Sequence, residues 1–74
     1  MNKWTDIITT KNGKYVLIDT CYTLDHGWES MVFECDCDGN VKSWIDLDVE
    51  IYDTMDEANE GHQEMINRWM NKRY

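Results

Sequence analysis

Ile45-Asp46-Leu47-Asp48-Val49-Glu50-Ile51-Tyr52, running straight into Asp53-Thr54-Met55-Asp56-Glu57, decides the fold. The first half alternates strictly. Successive side chains of a strand point to opposite faces, so the pattern predicts a strand with Ile45, Leu47, Val49 and Ile51 on the core. Asp46, Asp48, Glu50 and Tyr52 would then face water. The second half is a helix start: Thr54 is the N-cap and Glu57, three residues on, completes a capping box. Asp56 and Glu57 also suit the positive end of the helix dipole.

Downstream, Met55, Ala58, His62, Met65, Ile66, Trp69 and Met70 recur at three- and four-residue spacing, one apolar stripe on a helix from about Met55 to Asn71. Arg68, Lys72 and Arg73 lie in or after its last turn, where cations are favoured. Gly61 weakens a helix by roughly 1 kcal/mol relative to Ala, which predicts that a strand passes close beside His62.

Upstream, Trp4–Thr10, Tyr15–Tyr22 and Trp28–Cys35 are β-branched and aromatic, and read as three strands. Asn12-Gly13 between the first two predicts a type I′ hairpin, and Asp38-Gly39 predicts a tight turn into a fourth strand, Val41–Tyr52. The expected fold is α+β: a four-stranded antiparallel β-meander with one C-terminal α-helix packed on one face, ββββα, as a single domain over residues 1–74.

The chain has 74 residues, with fifteen Asp and Glu against seven Lys and Arg, a net charge of −8 and a pI near 4.4. A basic nucleic-acid-binding surface is thereby excluded as the dominant feature. No apolar run approaches the ~18 residues of a membrane span. The opening Met1-Asn2-Lys3-Trp4-Thr5-Asp6 has no apolar leader core, so no secretory signal is expected. Three cysteines, an odd number, then point to free thiols in a reducing compartment. Four Trp, four Tyr and five Met exceed what one short helix can cover over four strands, which predicts a homodimer with aromatic or Met contacts.

Cys35-Asp36-Cys37 with Cys21, His26 and His62 offers zinc-type ligands. Cys-x-Cys is not the usual pair spacing and no His pair follows, so the chain is expected to fold without zinc or another cofactor. Asp36–Asn40 is too short for a calcium loop and lacks its Glu at the twelfth position. His26 beside Asp25 is an unspecific pair, and His62 on the apolar stripe reads as a hydrogen-bonded core histidine. No catalytic or metal-binding residues are assigned, and the chain is not expected to be an enzyme.

Charge is segregated. Residues 1–14 carry +2 and residues 68–74 carry +3, whereas residues 15–67 carry −13. Asp46, Asp48 and Glu50 would repeat along the strand about every 6.6 Å. Asp53, Glu57, Glu60 and Glu64 follow at helical spacing, with neighbours about 5–6 Å apart. Both spacings are similar to that of successive phosphates on a nucleic-acid strand. These seven residues are the candidate partner-binding set, a duplex-like pattern offered to a basic groove. The alternative is that the acidity serves solubility only.

Trp28-Glu29-Ser30-Met31-Val32-Phe33, the Asp-Gly turn, Val41-Lys42-Ser43-Trp44, Leu47-Asp48, Tyr52-Asp53-Thr54-Met55-Asp56-Glu57-Ala58 and Gly61-His62 together resemble a family of small acidic proteins from bacteriophages and prophages of Gram-positive bacteria. The similarity spans about residues 28–62 and carries over no functional residues. It implies a phage setting and the cytoplasm of an infected bacterial host. Short acidic proteins there often inhibit host defence nucleases, anti-CRISPR proteins among them. The implied partner is a host protein with a basic nucleic-acid-binding groove, such as a CRISPR nuclease, with no membrane and no direct nucleic-acid contact. The alternative is a structural or regulatory phage interaction module.

Overall fold

A computed structural model describes residues 3–74 as β1 (Lys3–Thr9), β2 (Tyr15–Thr23), β3 (Gly27–Cys35), β4 (Asp48–Tyr52) and α1 (Met55–Met70). Of the opening residues read as lacking a leader core, Met1 and Asn2 lie outside the described residues. The four strands form one antiparallel sheet in sequential order, and α1 packs across one face, the ββββα architecture expected from sequence. Among the described residues, no helix is long and apolar enough to cross a membrane.

The core lies between helix and sheet. Val16 and Ile18 of β2 and Val32 of β3 meet Met65 and Trp69 of α1, with Ile8, Leu47, Ile66 and Tyr74 packed around them. Of the predicted helix stripe, Ala58, His62, Met65 and Trp69 are buried, while Met55 and Met70 at its two ends are exposed. Thr54 caps α1 as expected, its hydroxyl accepting from the Glu57 N–H at 3.1 Å. A Cβ on Gly61 would collide with the Tyr52 ring, so the helix reaches β4 at the one position without a side chain.

β4 departs from the sequence reading in two ways. Its regular part is five residues, not twelve: Val41 makes only an isolated bridge to Cys35, and the chain then runs irregularly to Leu47. Two backbone bonds, Lys42 N–H to Glu34 C=O and Leu47 N–H to Val32 C=O, keep this segment beside β3. The alternation is also inverted. The register pairs Ser30 with Glu50 and Val32 with Asp48, so Asp48, Glu50 and Tyr52 lie on the helix side. Val49 and Ile51 point to the opposite face, where they are exposed, as is Ile45 in the irregular segment. Trp69 and Met65 therefore pack on Val16, Ile18, Val32 and Leu47 rather than on Ile45, Val49 or Ile51.

The inversion has a polar cause. Asp48 accepts hydrogen bonds from the Trp69 indole N–H at 3.0 Å and from Arg68 at 3.1 Å, and Arg68 also reaches Glu50 at 3.4 Å. Turning β4 over would bury Val49 and Ile51 but would leave the buried Trp69 indole donor without a partner and would separate Arg68, which is exposed, from its two carboxylates. A buried donor left unsatisfied costs about 1–3 kcal/mol.

The first hairpin also differs from its prediction. Gly13 N–H bonds Thr10 C=O at 3.0 Å, and Thr10 N–H bonds Lys14 C=O at 2.8 Å. Only Gly13 has a positive φ, 83°, whereas a type I′ turn needs positive φ at both central residues. The result is a longer loop closed by a left-handed glycine. The C-terminal tail docks on that loop: Lys11 N–H bonds Lys72 C=O, Asn12 bonds Arg73 C=O and Thr10 bonds Tyr74 C=O. Tyr74 stacks edge-on to Trp69 at 5.5 Å.

Trp69→Ala is expected to cost about 3–5 kcal/mol, enough to unfold so small a domain, read as loss of the cooperative urea transition. Burial alone would raise the Asp48 pKa, but hydrogen bonds from Trp69 and Arg68 and the Arg68 charge outweigh it and hold the carboxyl below its usual range. A carboxyl depressed in the fold contributes stability above its unfolded pKa of about 3.9 and loses it as pH falls through the folded value. Asp48→Asn should therefore lower stability at pH 7 and flatten its decline below about pH 4.

Candidate interaction surface

The seven acidic residues singled out from sequence divide into two sets. Asp48 and Glu50 are committed to Arg68 and Trp69 on the helix side of β4. They do not form a water-facing row with Asp46, which lies exposed in the irregular segment before the strand. The strand half of the expected array is therefore absent. A one-residue step in side-chain direction moves every carboxylate of a strand to its other face.

The helix half is present. Glu57, Glu60 and Glu64 are exposed, three and four residues apart on one flank of α1, with exposed Asp53 just ahead of the cap. Glu57 also accepts the Thr54 hydroxyl at 3.1 Å, which ties the start of the row to the cap. The opposite flank of the helix is fixed in the core through Ala58, His62, Met65 and Trp69, so the row has a rigid backing. Its start lies at the end of the sheet where Tyr52 pairs with Trp28. Lys11, Lys14, Lys72 and Arg73 gather at the other end, because the C-terminal tail docks on the first hairpin loop. Lys11, Lys14, Lys72 and Arg73 thus form one pole, and the acidic ridge begins at the other, where Lys3 also lies, paired with Asp19.

Beneath the helix runs a buried polar chain that spacing did not reveal. His62 contacts Asp6 Oδ2 through Nε2 at 2.8 Å and Thr20 Oγ1 through Nδ1 at 2.6 Å. Thr20 contacts Ser30 Oγ at 2.5 Å, and Tyr52 donates to Ser30 at 3.2 Å. A carboxylate only accepts, so Nε2 carries a proton toward Asp6. With a neutral imidazole, protons then point one way, from Tyr52 to Ser30 to Thr20 to Nδ1. The core histidine expected at position 62 is there, but its partners stand 42 and 56 residues away in sequence. The only sequence signals were polar Thr20 and Ser30 at core positions of otherwise apolar strands.

The ring of His26 stays apart from this chain; its backbone N–H bonds Thr23 in the β2–β3 turn. The cysteines are free, with Cys35 buried and Cys37 exposed. Burial, followed by the charge of Asp36, pushes the Cys35 thiol pKa up. Among the described residues, no three Cys, His, Asp or Glu side chains are grouped to hold a metal ion.

Away from the helix, the irregular segment folds back over the sheet. Trp44 meets Phe33 edge-on at 5.2 Å, yet is 74% exposed. The two rings and Leu17 line a cleft of about 350 Å³, with Lys3 and Asp19 on its polar wall.

Thr20 joins the two halves of the buried chain. Thr20→Val keeps its shape but leaves Ser30 and His62 without their shared partner, so a loss of about 1–3 kcal/mol is expected by urea denaturation. A neutral result would mean that the hydroxyl chain contributes nothing to stability.

The chain matches no protein-family model, no curated protein and no solved structure.

Proposed function

We propose that this protein is a phage accessory protein that binds and inhibits a host nucleic-acid-binding defence effector, presenting the acidic flank of α1 where the effector expects a phosphate backbone. The observation that carries the reading is the exposed row Glu57, Glu60 and Glu64 behind Asp53, on a helix whose other side is locked into the core. Glu57 to Glu64 spans about 10 Å at helical rise, enough for several phosphate sites of a groove. A fixed row loses little freedom on binding, and its field speeds encounter with a basic partner. Asp48 drops out of the contact set because Trp69 and Arg68 hold it, Glu50 is turned to the helix side of β4 beside Arg68, and Asp46 stands apart on the irregular segment.

The resemblance to small acidic phage proteins supplies the setting: the cytoplasm of an infected bacterium, with an RNA-guided CRISPR nuclease as the model target. A non-catalytic role is supported by the buried chain. Asp6, His62 and Thr20 follow one another as acid, imidazole and hydroxyl, but His62, Thr20 and Ser30 are fully buried beneath α1, where no substrate reaches them. The same reading has the protein act as a homodimer, whose two copies present two acidic ridges.

The test is association with a purified RNA-guided nuclease from a Gram-positive host, measured by biolayer interferometry. Association should slow markedly as salt rises from low strength to 0.15 M, where the screening length is about 8 Å. Competing nucleic acid should displace the protein. Replacing Glu57, Glu60 and Glu64 together with Gln should weaken binding while the far-UV spectrum stays unchanged. Salt-independent association with full affinity in that variant overturns mimicry through the helix and leaves the acidity as a solubility device.

A further inference from the structure

Alternation along the strands gives the sheet a second face, opposite α1. Its cross-strand rows follow from the register: Ile7, Leu17 and Phe33 stand side by side, then Asp19, Met31 and Val49, then Cys21, Glu29 and Ile51. Helix cover is absent here. The segment from Asp36 to Leu47 buries Cys35 and most of Phe33 at one end, but Ile7, Val49 and Ile51 remain 44%, 38% and 57% exposed. Trp44 and Ile45, on that segment, are 74% and 78% exposed. Contiguous apolar patches of several hundred Å² on a small domain mark interaction sites.

We infer that this outer face is where a second copy of the chain docks, face to face, making a two-fold dimer with the helices on the outside. The inference rests on the reading of the protein as a homodimer and adds the surface that makes it.

Charge favours a second copy as the occupant. The strand residues on this face carry only Lys3, Asp19 and Glu29, a net −1 from one cation and two acids, while the whole chain carries −8. Lys3 and Asp19 already pair at 3.5 Å. Two strongly acidic chains repel one another little through such a near-neutral face, and here both ridges of Glu57, Glu60 and Glu64 end up on the outside, pointing apart. A two-fold contact needs a patch that complements itself; the apolar side chains and the internal Lys3–Asp19 pair do so, with Glu29, toward the end of the sheet, the one charge left to place at the edge of the contact.

Size fits as well. Four strands of seven, nine, nine and five residues, about 4.8 Å apart at about 3.3 Å per residue, make a face on the order of 480 Å² in projection. Specific interfaces use about 800 Å² per partner, and weaker ones under 600 Å². Side-chain relief and the rim formed by Trp44 and Ile45 place the contact between these, a reversible dimer in the micromolar range. The cleft between Trp44, Phe33 and Leu17 gives the face a notch into which an apolar side chain of the second copy can seat.

Light scattering at tens of micromolar should give a mass near twice the 8.9 kDa chain. Trp44→Glu and Ile51→Glu, both at exposed positions, should each shift it to the monomer with an unchanged far-UV spectrum. In an amide NMR dilution series on the unaltered protein, signals of Leu17, Met31, Val49 and Ile51 should move, and those of Glu57, Glu60 and Glu64 should not. A dimer that survives both substitutions, with dilution shifts mapping elsewhere, overturns the surface but keeps the homodimer. A monomeric mass up to millimolar concentration overturns both. A monomer in which these same substitutions abolish capture of the nuclease assigns the face to that partner instead.

Discussion

The Asp48 carboxylate, held between the Trp69 indole and Arg68, is the contact on which much of the arrangement depends. Trp69 brings the largest apolar surface of the helix into the core, but it cannot enter without a partner for its N–H. Arg68, one residue earlier, brings a guanidinium to the same place. Asp48 satisfies both, and a carboxylate that takes charge-assisted hydrogen bonds is worth more than a neutral acceptor. Once Asp48 faces the helix, the two-residue period of the strand forces Glu50 and Tyr52 inward and Val49 and Ile51 outward.

That single choice of direction shapes both surfaces of the molecule. Inside, it places Tyr52 against Gly61 and within reach of Ser30, completing the hydroxyl chain to Thr20, His62 and Asp6. A buried polar chain of this kind is stabilising only when every member has a partner, and none of its buried atoms lacks one among the described residues. Outside, it moves apolar side chains to the face that α1 does not cover. It also pairs Asp48 and Glu50 with Arg68, which offsets one of their two charges, and leaves the row Glu57, Glu60 and Glu64 on the flank of the helix.

The protein is therefore polarised in two senses. The tail contacts collect Lys11, Lys14, Lys72 and Arg73 at one end, while Asp53 and Glu57 start the acidic ridge at the other. Across the sheet, a charged helical side is set against a near-neutral apolar side. The proposed partner-binding ridge and the proposed docking face for a second copy are in this way separated by the thickness of the sheet and helix.

Local patterns in the sequence determined the elements. The Thr54 cap, the spacing of Ala58, His62, Met65 and Trp69, and the β-branched runs before Gly13 and Gly27 act within a few residues of themselves, so helix, strands and their order were legible without the fold. The alternation of Ile45 to Tyr52 pointed to its apolar set as the core face, and from Asp48 on the structure reverses it. An apolar set normally wins the core face by area, but here the buried indole N–H of Trp69, 21 residues away, takes Asp48 as its acceptor, and an unpaired buried donor outweighs two half-exposed aliphatic side chains. The partners of His62 and the docking of the C-terminal tail on the first hairpin loop were decided in the same way, by groups distant in sequence. Their energies exist only once the helix has closed over the sheet.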